Sequence, residues 1–395
     1  MNNYICPCCD SNKISKFLLS KKFPYFTTPI KSIYKKKIKN KNYSKYFDDL
    51  RYYFCKKCEH VFLKKFPNQK IINELYEKYY NYPSAMLGEF LPTRDNTFIN
   101  FLKKYLNKKI NKQISIFEVG CYDGYILHNL KKLGFNKVAG CDPSNGAKIA
   151  KKFKLNVKKD FFNAKKIKTK YDIVIARHLV EHLENPLNFF KSLERITHHK
   201  SKIIIEVPNG EFYLNKGLLE VFSHQHIHLF NKFSMQSLII NSKLYIEKVY
   251  EKGANVYFVL TYKKNFIKIN KSYLIKRFLK NYHNNLKKIS NILHKNKNKK
   301  IICYGAGGFF CAAIHLYKIE KKDVFKILDS DKNKINKEYL HIDTKIQSNT
   351  CNIGNNTLII ITSYYTDEIF NLIKKKKISK NVMLIHPKIK HKILK

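Results

Sequence analysis

The chain has 395 residues, a formal net charge of +48 at pH 7 from 77 Lys and Arg against 29 Asp and Glu, and ten cysteines. Its length suggests two or three domains at ~100–200 residues each. Lysine is spread along the whole chain and arginine is scarce. That argues against a nucleic-acid reader, whose cations cluster and whose base contacts use Arg, and favours an anionic small substrate such as a nucleotide diphosphate. No apolar run is long enough for a transmembrane helix, and the opening MNNYICPCCD is not a secretion signal, so a reduced, cytoplasmic protein is expected.

Residues 1–65 carry the pairs Cys6–Cys9 and Cys55–Cys58, both spaced C-x-x-C. In a reduced compartment such pairs read as metal ligands, and four thiolates suit a tetrahedral, structural zinc. Cys8 is an alternative to Cys6, His60 is an outside candidate, and free thiols are the plain alternative. Residues 66–110 read as a helical connector with a tyrosine cluster at Tyr76, Tyr79, Tyr80 and Tyr82. Tyrosines at helical spacing usually face a core or a partner.

Residues 111–265 alternate strand and helix. The stretch 114–119 is apolar and β-branched, as a buried parallel strand requires, and runs into Glu118, Gly120 and Gly124 in the frame E-x-G-x-x-x-G. A glycine turn after a strand lets backbone approach a ligand. The next strand, 138–141, ends at Asp142, placed to accept the hydroxyls of a ribose. The pattern lacks the G-x-G-x-x-G of dinucleotide sites, which points to S-adenosylmethionine; an α/β turn without a ligand is the alternative. Asp160-Phe161-Phe162 lies just beyond the following strand. The strand 171–176 leads to His178 and His182, and the strand 202–207 to Asn209. Five parallel strands and a closing hairpin give a doubly wound α/β sheet, with ligands at the carboxyl ends of the strands. Gly120, Asp142, His178, His182 and Asn209 are thereby expected around one crevice. His224, His226 and His228 alternate in the following loop. They read as metal ligands lacking a carboxylate companion, as proton-transfer groups near pH 7, or as core histidines.

Residues 266–299 read as a helical linker. Residues 300–395 begin a second Rossmann-like unit, with a strand to Tyr304, the turn 305–308 and an acid at Asp329. A substrate-holding domain without its own cofactor accounts for that turn as well as a bound nucleotide does.

The order of these features resembles the three-domain sugar C-methyltransferases, which act on nucleotide-linked keto-deoxysugars. The resemblance covers nearly the whole chain. It rests on the two cysteine pairs, on E-x-G-x-x-D-G at Glu118, Gly120, Asp123 and Gly124, on Asp142-Pro143, on A-R-x-x-x-x-H from Ala176 to His182, and on Tyr304-Gly305-Ala306. It implies a zinc module, a central domain binding S-adenosylmethionine through Glu118, Gly120, Asp123, Gly124, Asp142, Phe161 and His178, and a C-terminal Rossmann-like substrate domain. It also implies an acceptor site lined by a tyrosine of the Tyr80–Tyr82 segment, His182 and His226. One position departs from the family, which usually has Glu-His where this chain has Gln225-His226. Methylation at carbon needs a base to make an enolate, and a neutral Gln225 cannot tune His226 by charge. O- or N-methylation of a sugar, glycan or small metabolite is therefore the alternative, and a zinc-containing nucleic-acid-binding protein is the more distant one.

Overall fold

The computed structural model describes residues 5–40, 43–74, 83–89, 92–106, 111–264, 267–351, 353–354, 356–379 and 381–394. Tyr76, Tyr79, Tyr80 and Tyr82 lie outside the described residues.

The central sheet has seven strands in the order Tyr245–Lys252, Asn255–Thr261, Thr197–Pro208, Tyr171–Arg177, Ser115–Val119, Lys137–Cys141, Asn156–Lys158. The last five run parallel, and the first two form an antiparallel hairpin on one edge. Adjacent residues of one strand serve opposite faces. Ile116 packs in one cluster with Leu127, Leu130 and Val138, while Phe117 joins Val174, Phe190 and Ile205 in another. A strand buried on both faces is apolar at most positions, which is why these segments read as near-continuous apolar runs, with Glu118 the buried exception in Ser115–Val119. The chain passes from Ser115–Val119 outward on one side and then returns to Tyr171–Arg177 on the other. This reversal opens a crevice at the strands' carboxyl ends.

The N-terminal unit is an antiparallel sheet. Ile14–Pro24 pairs with Phe47–Cys55, which pairs with Val61–Leu63. Its fourth strand is His228–Leu229, contributed by the histidine loop of the central unit. The C-terminal sheet has six strands, with Lys300–Tyr304 between Val324–Asp329 and Thr357–Ile361. The helix Leu274–Lys295 connects the two larger sheets and buries Leu274, Phe278, Asn285, Ile289 and Ile292. Gly217 lies against this helix with φ +63°, where a Cβ would fall 2.3 Å from the Tyr282 amide nitrogen. One apolar cluster runs through all the units, uniting Phe23, Leu50 and Tyr52 with Leu218 and Phe222 and with Phe310, Tyr317 and Tyr339. Among the described residues no helix is long and apolar enough to cross a membrane.

Candidate active site and cysteine centre

The turn after Ser115–Val119 is built for close approach. Gly120 and Gly124 have φ +74° and +77°, a region that favours glycine. Among the described residues a Cβ on Gly120 would meet only Leu179, at 3.8 Å, so none of them crowds this backbone. Gly124 is packed instead, since a Cβ there would lie 2.5 Å from Leu155 Cδ1. Asp142 Oδ2 accepts the Tyr122 amide at 2.9 Å, and Oδ1 accepts the Ser144 amide at 2.8 Å and its hydroxyl at 2.5 Å. It thus shapes the turn and keeps part of its acceptor capacity. Asp123 accepts the Ser84 hydroxyl at 2.8 Å, the Met86 amide at 3.0 Å and the Tyr125 amide at 3.1 Å. It fastens the segment 83–89 across the turn. Glu118 is buried and its Oε2 has no hydrogen-bond partner among the described residues. Burial pushes its carboxyl up to about 8, with Arg177 opposing. An open glycine backbone, a strand-end aspartate and an orphaned carboxyl oxygen together fit the adenosyl and amino groups of S-adenosylmethionine. Phe161 stands 66% exposed beyond the neighbouring strand.

At the end of Tyr171–Arg177 a buried charge network begins. Arg177 donates to Glu206 Oε2 at 2.6 Å and Asp95 Oδ1 at 2.9 Å, and its guanidinium lies 4.3 Å over the Phe98 ring. His178, with φ +46°, stands between Glu181 Oε1 at 3.2 Å and Glu206 Oε1 at 3.4 Å. Burial alone would lower the His178 pKa, but these carboxylates outweigh it together and hold the imidazole above its ordinary value. Burial likewise opposes ionisation of Glu181 and Glu206. The neighbouring cations prevail: His178 chiefly holds Glu181, and Arg177 Glu206, at about 2.

The three alternating histidines diverge. His224 Nε2 donates to the Phe23 and Asp48 carbonyls of the N-terminal sheet. His228 Nε2 donates to the Leu183 carbonyl at 2.9 Å, and its Nδ1 accepts from His60 Nε2 at 3.0 Å. Only His226 turns to the crevice, where its ring centroid lies 5.0 Å from that of His182. His226 Nδ1 donates to the Val221 carbonyl and His182 Nδ1 to the Gln225 carbonyl, both at 2.6 Å. Burial, then His182, depress His226 to about 4, so its ring is neutral. The Tyr52 hydroxyl sits between the Ser223 and His226 carbonyls and so fixes this loop from the N-terminal sheet.

Two sequence expectations are corrected here. Of the loop histidines, His226 does have a carboxylate companion: Glu181 lies within 4.8 Å of it and of His182, ligand atom to ligand atom. The charge beside His226 therefore does not depend on position 225, and Gln225 contributes its backbone carbonyl to His182. Glu181, Glu206, Asp95 and Tyr52 are the site groups that sequence reasoning missed, and Arg177 was read only within the A-R-x-x-x-x-H segment, with no role of its own. Glu181 adjoins His182 in the chain, which was the one available signal; the others depend on long-range pairing.

Cys6, Cys9, Cys55 and Cys58 place their sulfurs within 4.8 Å of one another, with Cys6–Cys58 at 3.5 Å and Cys9–Cys55 at 3.6 Å. Four sulfurs ~2.3 Å from a tetrahedral centre lie about 3.8 Å apart, so the cluster fits zinc. Backbone amides of Cys8 and Cys58 approach the Cys6 and Cys55 sulfurs at 3.5 Å, as neighbours of thiolates should. Cys8 is buried outside this quartet, and His60 is engaged with His228. In the C-terminal unit Asp329 accepts the Ala306 amide at 2.7 Å and pairs with Lys334 at 3.1 Å. Thr27 of the N-terminal unit covers Gly308, 3.7 Å from where its Cβ would stand.

Residues 91–247 match a family model described as a methyltransferase domain. Ubiquinone biosynthesis O-methyltransferases from two strains of Rickettsia bellii are each 28% identical over 131 residues, 32% of this chain and 54% of theirs. The chain thus spans about half the length of the curated relatives it matches. Among solved structures, magnesium protoporphyrin IX methyltransferase from Synechocystis PCC 6803 with bound SAH is 13% identical, covering 50% of this chain and 100% of that one at a TM-score of 0.38. The PH0226 protein of Pyrococcus horikoshii OT3 is 18% identical over 50% of this chain and 100% of its own, with a TM-score of 0.35. The chain carries an S-adenosylmethionine-dependent methyltransferase domain.

Proposed function

We propose that this methyltransferase domain methylates a nucleotide-linked keto-deoxysugar at carbon. The observation that carries the reading is the joint construction of the acceptor face. The cysteine-bearing sheet fixes the His226 loop through Tyr52 and through the pairing of Val61–Leu63 with His228–Leu229. An acceptor wall made by two units favours a small, enclosed substrate over a polymer. When bound, S-adenosylmethionine supplies an electrophilic methyl group on a sulfonium. Glu118, Gly120, Asp123, Gly124, Asp142, Phe161 and His178 are assigned to its side of the crevice. Cys6, Cys9, Cys55 and Cys58 hold a structural zinc.

His182 and His226 are assigned to activate the acceptor. Each spends its Nδ1–H on a carbonyl, so the Nε2 of a neutral ring carries a lone pair. Without a metal, His226 Nε2 takes the proton next to the ketone, Glu181 stabilises the imidazolium that results, and His182 would donate to the ketone oxygen only when its Nε2 carries a proton as well. Tyr80 and Tyr82 are assigned to the same side by the family resemblance. O-methylation is the second reading, favoured by the two Rickettsia bellii relatives, both O-methyltransferases. Incubation with methyl-labelled cofactor and a panel of nucleotide sugars tests both. Label on carbon by NMR is the expected result; label on oxygen selects the second reading, and no transfer to any sugar rejects the substrate class.

A further inference from the structure

Glu181, His182 and His226 form a cluster whose composition calls for a cation. The two histidine Nδ1 atoms are both committed as donors to backbone carbonyls at 2.6 Å. In the neutral rings both Nε2 atoms are therefore lone-pair donors with fixed orientation, the arrangement that metal-bound histidines adopt. The third member is a fully buried carboxylate whose Oε2 has no hydrogen-bond partner among the described residues, while Oε1 is held by His178 at 3.2 Å. Three Lewis bases within 4.8 Å of one another thus converge with no hydrogen bond joining them. His182 Nε2 stands 3.8 Å from Glu181 Oε1, beyond hydrogen-bond reach. Two ligands of one ion with bonds of ~2.1 Å lie roughly 3.0–3.4 Å apart, so binding an ion would draw the three groups together from their present separations of up to 4.8 Å.

We propose that Glu181, His182 and His226 bind a divalent first-row transition-metal ion at the acceptor side of the crevice. Two imidazoles and one carboxylate suit Mn²⁺, Co²⁺, Ni²⁺ or Zn²⁺ and leave coordination positions open. His182 and His226 are both part-exposed, so those positions face the crevice. An acceptor oxygen, either the ketone or a hydroxyl, is the group they would take. This acceptor role rests on the methyltransferase reading, whereas the ion itself does not. Metal and proton compete for the same lone pair on His226, so an ion bound here takes over acceptor activation from that nitrogen. The cysteine centre is separate chemistry: thiolates select zinc and discriminate against Mn²⁺.

The test is a titration of the purified, zinc-loaded chain with Mn²⁺, followed by electron paramagnetic resonance and elemental analysis. The expected result is one Mn²⁺ per chain in addition to the zinc, with at least tenfold weaker binding in Glu181→Gln and in His226→Asn. Calorimetry with S-adenosylhomocysteine on the same samples checks that the variants are folded. No saturable binding of Mn²⁺, Co²⁺ or Ni²⁺ to the wild-type chain overturns the proposal whatever the variants do. Equal binding by wild type and both folded variants overturns it too. A chain that binds the ion at these residues but not S-adenosylhomocysteine keeps this site and loses the proposed function.

Discussion

At the scale of single residues, buried carboxyls with opposite fates mark the crevice. Glu181 and Glu206 are held ionised by His178 and Arg177, while Glu118, orphaned at Oε2, is pushed up to about 8. The folded chain therefore keeps the Glu118 proton through the range where an unfolded glutamate, near 4.5, has lost it. Between those values the folded state binds more protons, so stability falls as pH rises, by up to ~1.4 kcal/mol per pH unit from this group. Above about 8 the contribution levels off. Glu118→Gln should flatten that slope, and melting curves of the cofactor-free wild type and variant between pH 5 and 8.5 check it; parallel curves would mean that Glu118 is ionised in the folded chain. Asp142→Ala should weaken S-adenosylhomocysteine binding at least tenfold by calorimetry, since charge-assisted hydrogen bonds contribute roughly 1.5–3 kcal/mol each. Because Asp142 also holds the Tyr122 and Ser144 amides, a modest fall in melting temperature should accompany that loss.

At the scale of elements, the histidine loop is positioned from outside its own unit. Tyr52→Phe removes the hydroxyl between the Ser223 and His226 carbonyls and should cost about 1 kcal/mol in stability. Turnover should fall with affinity for S-adenosylhomocysteine unchanged; equal loss of both would show that the hydroxyl supports the whole fold rather than this loop. The central strands were legible beforehand because burial on both faces favours dense apolar runs, as at 114–119 and 171–176, each interrupted by an acidic residue, Glu118 or Asp172. The strand expected at 202–207 extends to Thr197–Pro208, since His198, His199 and Lys200 carry no apolar signal yet continue the backbone. The N-terminal sheet went unread because Ile14–Pro24 is lysine-laden and pairs with Phe47–Cys55 across a long intervening segment. The same limit hid the cluster of Glu181, His182 and His226: nothing local to Glu181 says that a residue more than forty positions later will face it. The two C-x-x-C pairs were readable from spacing, which reports local geometry, but spacing left Cys8 as an alternative to Cys6, and only the fold gathers Cys6, Cys9, Cys55 and Cys58 into one cluster.

At the scale of the whole molecule, the cysteine-bearing unit holds the His226 loop through Tyr52 and through the pairing of Val61–Leu63 with His228–Leu229, and in the proposed function that makes it a wall of the site. Cys55→Ser should lose the zinc, lower the melting temperature and reduce turnover while S-adenosylhomocysteine still binds, because the glycine turn and Asp142 belong to a different sheet. Metal analysis and calorimetry of the same preparation check this, and undiminished zinc would remove Cys55 from the ligand set. Pairing of Val61–Leu63 with His228–Leu229 also has a temporal meaning. As the chain emerges from the ribosome, Val61–Leu63 appears early with one edge satisfied by Phe47–Cys55 and the other open. Its partner is synthesised only after the first five parallel strands of the central sheet have been made. During that interval the nascent chain displays an apolar, hydrogen-bond-hungry strand edge, the kind of surface on which unfinished proteins stick to one another. A fragment ending before residue 228 would keep that edge permanently, so truncation there should yield aggregates rather than a smaller soluble enzyme.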